Sequence, residues 1–511
     1  MNAPTPKHPH ETGLLICIFL LNSIEFLQGG MITFASGPIL GEIGASPEEF
    51  TFATAVYAVV AIAAISKQRW VTERIGWRGF VQASAVVFVI GAAICATSTS
   101  FPQYLAGRVV MGLSGGPFLT SARLIVQQIP PSPRRFRGIL AFAGGLAIGN
   151  GMAPLLASLA VSHGTWSGIF VLLAAMATIA ALVGTIALPN DVVPVEKRSQ
   201  AHPLMTLVMM AGAFLILYAL LRASYDFYAD AMPLVLAIII GFGALLYFAM
   251  HQHGHERPLL VVKRLMIPRY LTGMGVFTLG YMILGANNYM LPVLMQGGLG
   301  FPWEVIGQVQ TAGLIIAAPT FAVMAMVLKK NQSAKKFYVT GFTFLAISGL
   351  ILMRLSPEAG LWTDVWPGIA VYGAFITPVM VTTALHSFMD LQGDEAAFSN
   401  GQQLKNMMSQ FGVSLGIAGA ALGLQWRSSE HLSVLLQRFH PEDTAFSTLA
   451  TQLGEQFSAS HAAQAPAVAI ATLAQQMNQQ AVLLSSLDYF GFLVVVGLLG
   501  AMLMISQRIL K

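Results

Sequence analysis

Charge is what this chain has least of. Only 10% of its 511 residues are Asp, Glu, Lys or Arg, against about 25% in soluble domains. That shortage excludes an ordinary water-soluble globule and a charged, disordered tail protein. Cysteine is nearly missing: Cys17 and Cys95 are the only two. Both fall in apolar stretches, so no disulfide framework and no cysteine metal site is expected, and packing explains them. The polar start MNAPTPKHPHETG lacks the basic region, short apolar core and small-residue cleavage site of an exported leader, so the first apolar segment is expected to stay as an anchor. No phosphate loop, catalytic triad or paired-carboxylate pattern is present. Neither an enzyme nor a cofactor is expected. The surplus of basic residues, giving a pI near 9.2, lies in short loops and argues for membrane topology rather than nucleic acid.

What is abundant is apolar. Hydrophobic residues make up 55% of the chain, with 49 Gly and 25 Met, and the mean hydropathy is +0.68. Small residues let membrane helices approach closely. Segments long enough to cross a bilayer number fourteen, at roughly 13–36, 50–67, 79–99, 103–128, 137–161, 166–188, 203–222, 232–250, 269–292, 304–328, 337–353, 366–388, 402–424 and 485–507. The fold class expected is therefore an all-α integral membrane protein.

Charge sets the orientation. Lys67, Arg69, Arg74 and Arg78 fill one loop, and Arg134, Arg135 and Arg137 another. Arg257, Lys263, Arg264 and Arg269 fill a third, and Lys329, Lys330, Lys335 and Lys336 a fourth. All four loops join an even span to an odd one. The alternate loops hold Glu42, Glu48 and Glu49, or Asp226 and Asp230. The positive-inside rule then puts both termini in the cytoplasm. The long connection 425–484 lies outside by this topology. PEDTAFSTLATQLGEQF and APAVAIATLAQQMNQQAVLL show helical apolar spacing, with Pro441 and Glu442 at a helix start. Two or three amphipathic helices are expected there, the last running into the final span. They form either a packed cap or a docking and gating element.

The chain repeats itself faintly. Pro38 and Pro292 stand near the ends of the first and ninth spans, and each is followed by a second Pro beside Glu at a helix start: Pro47 with Glu48, Pro302 with Glu304. This divides the chain into a six-helix bundle at 13–188, two inserted helices at 189–268, and a second six-helix bundle at 269–507. Paired repeats around a midplane site are the mark of secondary transporters.

One residue stands out against this background. Glu25 is the only charge in the apolar run Leu14–Phe34. A carboxylate at membrane depth costs several kcal/mol when ionised, so it survives mainly where it faces water or takes up a proton. Glu25 is thus either a proton-coupling group or a structural acid hydrogen-bonded between helices. Arg108, inside the fourth span, is equally costly alone and needs a carboxylate or helix-end carbonyls. Polar residues in spans nine, ten and thirteen are candidates for a substrate cavity: Asn287, Asn288, Gln308, Gln310, Gln403, Asn406 and Gln410. The last three share one helical face. Tyr57 and Met111 add apolar contact. Lys405 is expected to snorkel to the membrane surface. His251, His253 and His255 alternate in a basic loop, where a polar loop needs no metal to explain them.

Several motifs resemble the fourteen-helix drug:proton antiporters of the major facilitator superfamily (the EmrB/QacA-type branch). After the second span, Glu73, Arg74, Gly76 and Arg78 are similar to that family's loop motif G-x-L-A-D-R-x-G-R-K, with Arg69 where Gly is usual. Arg108 with Gly112 resembles its fourth-helix motif. Gly144, Gly145, Gly149, Gly151 and Pro154 resemble its fifth-helix antiporter motif, with Ala153-Pro154 in place of Gly-Pro. Trp166, Phe170, Gly401, Gly412 and Gly416 match further family positions. Glu25 lies thirteen residues before Pro38, about one turn deeper than the family's usual acid. The resemblance implies alternating access between two bundles, with Glu25 and Arg108 coupling protons and the loop and glycine motifs governing conformation. It implies export of small amphipathic or cationic compounds, by a monomer in a bacterial inner membrane. A transporter dedicated to one nutrient, siderophore or natural product is the alternative. A periplasmic adaptor is a candidate partner for 425–484.

Overall fold

The computed structural model describes residues 11–130, 132–200, 202–255, 258–330, 333–438, 448–449, 451–453, 455–456 and 465–510. Every regular element among them is helical and none is a strand. Among the described residues, twelve helices are long and apolar enough to cross a membrane. The fourteen-span reading takes the two arms of Glu48–Ala96 separately and adds the 25-residue helix Pro268–Pro292. Large apolar side chains such as Leu182, Leu207, Leu246 and Leu503 stand exposed on the helix bundle, as a lipid-facing surface requires.

The first part of the chain forms α1 (Glu11–Phe34), α2 (Ser36–Ile43), α3 (Pro47–Ala96), α4 (Phe101–Gly115), α5 (Phe118–Gln128), α6 (Pro133–Ser162) and α7 (Ser167–Ala187). The start of α3 is fixed by a capping box. The Ser46 hydroxyl accepts from Glu49 N at 3.2 Å, and Glu49 Oε2 accepts from Ser46 N at 2.9 Å. Gly76 then breaks α3 with φ 72°, a conformation that costs a residue with a Cβ. The two arms fold back on each other. A Cβ on Gly115 would stand 2.9 Å from Phe88 and 3.2 Å from the Tyr57 hydroxyl, so residues from both arms meet α4 at one depth. The expected fourth span, 103–128, is broken into α4 and α5 at Gly116–Pro117, because Pro117 offers no N–H to continue the ladder.

Two arms of α8 (Pro203–Gly254) pack together where Gly212 and Gly241 cross. This helix pair lies against α3 on one side. On the other lies α15 (Glu395–Arg438), through a cluster that joins Ala58, Ile62, Met209, Leu217, Met407 and Ala418. The remaining chain forms α9 (Val262–Leu265), α10 (Pro268–Pro292), α11 (Trp303–Leu314), α12 (Ala317–Lys330), α13 (Ala334–Leu352), α14 (Trp366–His386), then α15 and α16 (Ala465–Ser506). The expected tenth span is likewise divided, between α11 and α12. At the start of α15, the Ala397 N–H and the Arg264 guanidinium both bind Asp394, holding its carboxyl below the usual carboxylate range.

The connection expected at 425–484 is shorter, because both flanking helices run on past their expected ends. Segments 448–449, 451–453 and 455–456 are helical, and APAVAIATL forms the first turns of α16. Pro441 and Glu442 lie outside the described residues. Arg427 and His431 of α15 each bind Asp488 of α16 at 2.7 Å, tying the two extensions together.

One packing device occurs twice. In α6, Gly145 and Gly149 sit one turn apart against α1, where added Cβ atoms would stand 2.6 Å from Phe19 O and 2.9 Å from Ser23 O. Asn22 Nδ2 donates to Phe142 O at 2.5 Å and Ser23 Oγ to Gly145 O at 3.2 Å across that contact. In α15, Gly412 and Gly416 meet α10 in the same way, against Thr278 O and Met282 O. Gly144 points elsewhere, with only Phe19 near, at 3.8 Å. Replacing Gly149 with Leu is therefore expected to cost about 1–3 kcal/mol through overpacking. Gly144→Leu should be tolerated. Thermal unfolding of the two variants in detergent measures the difference.

Candidate functional site

Side chains at three-residue spacing, Asn22, Glu25 and Gln28, form a buried polar stripe along α1. Asn22 anchors α6. Glu25 and Gln28 turn into a cavity of about 90 Å³ between the two parts of the bundle. Arg108, Tyr57, Asn150, Asn288, Ser409 and Gln410 also line it. Glu25 is 8% exposed. Gln410 Nε2 of α15 donates to its Oε1, while Oε2 has no hydrogen-bond partner. The Arg108 guanidinium lies over the Tyr57 ring at 4.1 Å, and its Nη1 is also without a partner. Gln28 Nε2 donates to the Tyr57 hydroxyl. Among the described residues no ion pair joins Glu25 to Arg108. A buried acid and a buried base thus share one cavity, each with hydrogen-bonding capacity unspent.

Two belts of contact close the cavity. Towards the end carrying the basic loops, Gln403 Nε2 donates to Ile65 O at 3.0 Å, and Asn406 Nδ2 to Gly116 O and Thr120 Oγ1, each at 2.8 Å. Towards the opposite end, Leu155 N donates to Thr311 Oγ1 at 3.1 Å. Phe34 and Trp303 pack edge to face at 5.2 Å. The two parts of the bundle thus touch on both sides of the cavity.

Of the residues expected in the cavity, Tyr57, Asn288 and Gln410 line it. Six do not, for local reasons. Gln310 is buried but lies outside the lining. Met111 is buried against Gly91 in the second arm of α3. Asn287 donates to Ile283 O of its own helix at 3.0 Å. Gln308 is exposed, on the face of α11 opposite buried Val309 and Gln310. Gln403 and Asn406 belong to the closing belt. The shared face of Gln403, Asn406 and Gln410 does reach the first bundle along its whole length, but only Gln410 meets the cavity. Lys405 does not snorkel: it is buried, with Nζ 5.4 Å from the Phe277 ring. Residues missed from sequence include Gln28, signalled by its three-residue step from Glu25, and Asn150, hidden between the motif glycines. Ser409, Ser414 and Tyr281 carried no distinguishing signal.

The loop and glycine motifs have separate partners. Glu73 accepts from Arg69 Nε at 2.7 Å, and from Ser199 N and Oγ at 2.6 and 2.7 Å. Arg74 donates to Ser199 O at 3.1 Å, and Arg78 to Leu188 O at 3.0 Å. Beside Gly76, a Cβ would stand 3.2 Å from Asn190 and Asp191. This loop therefore clasps the segment leading from α7 to α8. Gly112 seats α4 on Tyr57 and Val60 of α3. Past the α1 contact of Gly145 and Gly149, α6 turns to α11 and α12. There Gly151 faces Ile315 at 3.6 Å, and Pro154 O lies 2.8 Å from where a Gly307 Cβ would be. Among the described residues no group of His, Cys, Asp and Glu could hold a metal ion.

Comparisons with known proteins agree with this architecture. The family model described as Major Facilitator Superfamily matches residues 18–417. A protein of Escherichia coli O81 (strain ED1a) named "Putative multidrug resistance protein MdtD" is 24% identical over 417 residues, covering 80% of this chain and 86% of that one. Its namesake from Enterobacter sp. (strain 638) is 23% identical over 413 residues, covering 80% and 85%. Among solved structures, a bacterial homologue of the human lysosomal transporter Spinster, inward-facing and unoccupied, superposes with TM-score 0.55 at 13% identity, covering 98% of each chain. A structure from work on substrate recognition in proton-dependent oligopeptide transporters gives TM-score 0.57 at 14% identity, also covering 98% of each.

Asn406→Ala removes both of its bonds across the closing belt, each contributing about 0.5–1.5 kcal/mol. The basic-loop end is then expected to open more often. A cysteine placed at Ile65, with Cys17 and Cys95 replaced, should label with a thiol reagent several-fold faster when Asn406→Ala is added.

Proposed function

We propose a proton-coupled exporter of small amphipathic or cationic compounds, a reading whose premise is family: the chain belongs to the Major Facilitator Superfamily and is a multi-pass membrane transporter. The observation that carries the finer reading is the Glu25–Gln410 contact. It joins α1 to α15 through a carboxylate that lines the cavity and whose second oxygen is buried without a hydrogen-bond partner. Ionised, Glu25 accepts from Gln410 and gives the cavity a negative charge that offsets Arg108. A cationic or polar cargo adds to this arrangement. Protonated, Glu25 loses that charge and Arg108 is left uncompensated, so a bound cation is repelled. Proton and cargo therefore compete for one group, and exchange follows if each occupant favours a different tilt of the two bundles. An ion gradient supplies the work, about 2.3 kcal/mol per charge per 100 mV.

In this reading the units are 13–188, the inserted pair within 189–268, and 269–507. Both termini and the Glu73 clasp are cytoplasmic, in a bacterial inner membrane. The MdtD relatives, named for multidrug resistance, support efflux. A cargo-dedicated transporter has its own support: Gln28, Asn150, Asn288 and Ser409 make the cavity rich in directional hydrogen-bonding groups, which favour one partner over many.

Proton release on adding tetraphenylphosphonium to detergent-purified protein tests the coupling. Wild type is expected to release protons into weakly buffered solution, and Glu25→Gln at least tenfold fewer. Unchanged release from Glu25→Gln would remove Glu25 from the coupling role.

A further inference from the structure

Two cations among the helices, Lys405 buried and Arg123 half-buried, have no part in the exchange just described. Lys405 is 6% exposed and makes no hydrogen bond or ion pair. Its one polar compensation is the Phe277 ring at 5.4 Å. A ring at that range offsets only part of what a buried, unpaired ammonium costs. Arg123 of α5 is likewise without a carboxylate, its guanidinium 5.8 Å from the Phe142 ring. Topology does not explain the pair, since a basic residue serving orientation belongs in the loop and not inside the bundle.

Their positions follow from helix spacing. Ser409 and Leu119 both line the cavity. Lys405 is one turn from Ser409 on the same face of α15, and Arg123 one turn from Leu119 on the same face of α5. Both steps lead towards the basic-loop end. The two cations therefore flank, from opposite bundles, the way between the cavity and that end. The belt bonds of Asn406 to Gly116 and Thr120 hold this way shut. With Arg108, three cations border the seam, Arg108 and Lys405 buried and Arg123 half-buried. Among the described residues Glu25 is the one carboxylate lining the cavity, and Glu73 is held by Arg69 and Ser199.

We propose that Lys405 and Arg123 form an anion-receiving pair at the basic-loop mouth of the cavity, and that the cargo carries an anionic group beside an apolar body. Opening that end exposes both cations, and an arriving carboxylate, sulfonate or phosphate relieves their repulsion. The cargo anion then passes towards Arg108, its apolar body towards Tyr57 and Tyr281. This departs from the cationic branch of the proposed function in favour of an amphipathic anion, and rests on that reading only for its direction, from the cytoplasm inward to the cavity.

A matched pair of probes tests it: 2-naphthalenesulfonate and (2-naphthyl)trimethylammonium, one ring system with opposite charges. Equilibrium binding to the full detergent-purified chain is measured for wild type, Lys405→Met, Lys405→Arg and Arg123→Gln. The sulfonate is expected to bind, at least tenfold more weakly to Lys405→Met and Arg123→Gln, and within threefold of wild type to Lys405→Arg. Binding of the ammonium should hold or tighten. Lys405→Met keeps the apolar stem and sheds the unpaired charge, so its melting temperature should match or exceed that of wild type. Absence of sulfonate binding to wild type would overturn the proposal. So would an equal loss for both probes in Lys405→Met, or sulfonate affinity indifferent to both cations. The assay needs no proton movement, so a failure here leaves proton-coupled export of cations standing, and a silent proton-release measurement leaves the anion pair standing.

Discussion

A carboxylate enclosed among apolar helices with one oxygen held and the other free is the constraint around which this molecule is arranged. In bulk water Glu25 would be an unremarkable acid. Inside the bundle its ionised form must be offset by something nearby, and the nearby groups come from both parts of the chain. Gln410 approaches from α15, while Arg108 and Tyr57 approach from α4 and α3. The charge state of one side chain is thereby linked to how two large bodies sit against each other.

That link requires closely fitted helices. Gly145 and Gly149 bring α1 onto α6, and Gly412 and Gly416 bring α10 onto α15, so each bundle presents a firm helix pair to the cavity. The same α6 continues to α11, where Pro154, Gly151 and Leu155 form part of the closure remote from the basic loops. Closure at the other end depends on amide side chains, Gln403 and Asn406, reaching backbone carbonyls. Hydrogen bonds of that kind are individually modest and suit an interface that must separate and re-form. The clasp of Glu73, Arg74 and Arg78 on Leu188–Ser199 lies next to this closure. It fixes the departure of the chain towards α8, which itself rests on both α3 and α15.

The cations tell a complementary story. A membrane protein normally leaves its basic residues in the loops, and this chain does so at Arg69, Arg78, Arg264 and Arg269. Arg108, Arg123 and Lys405 depart from that economy. Arg108 and Lys405 are buried among the packed helices, and Arg123 is half-buried.

Much of this was legible in the primary sequence, because a bilayer imposes few solutions. Long apolar runs must be helices, four basic loops alternate with acidic ones, and Pro47 with Glu48 announces a helix start. Glu25, a lone acid in an apolar run, could be picked out by cost alone. The steps of three and four residues from Gln403 to Gln410 identified a polar face. What one dimension could not supply is which neighbour each face meets. Gln403 and Asn406 share a stripe with Gln410 but close the seam, since only Gln410 stands level with Glu25. Gln308 points outward and Gln310 inward because their azimuths differ by about 200° at 100° per residue. Lys405 could reach the surface by length, yet it is enclosed because α10 and α5 pack over it. Periodicity fixes the face of a residue, and only the packing of distant helices decides whether that face meets lipid, partner or cavity.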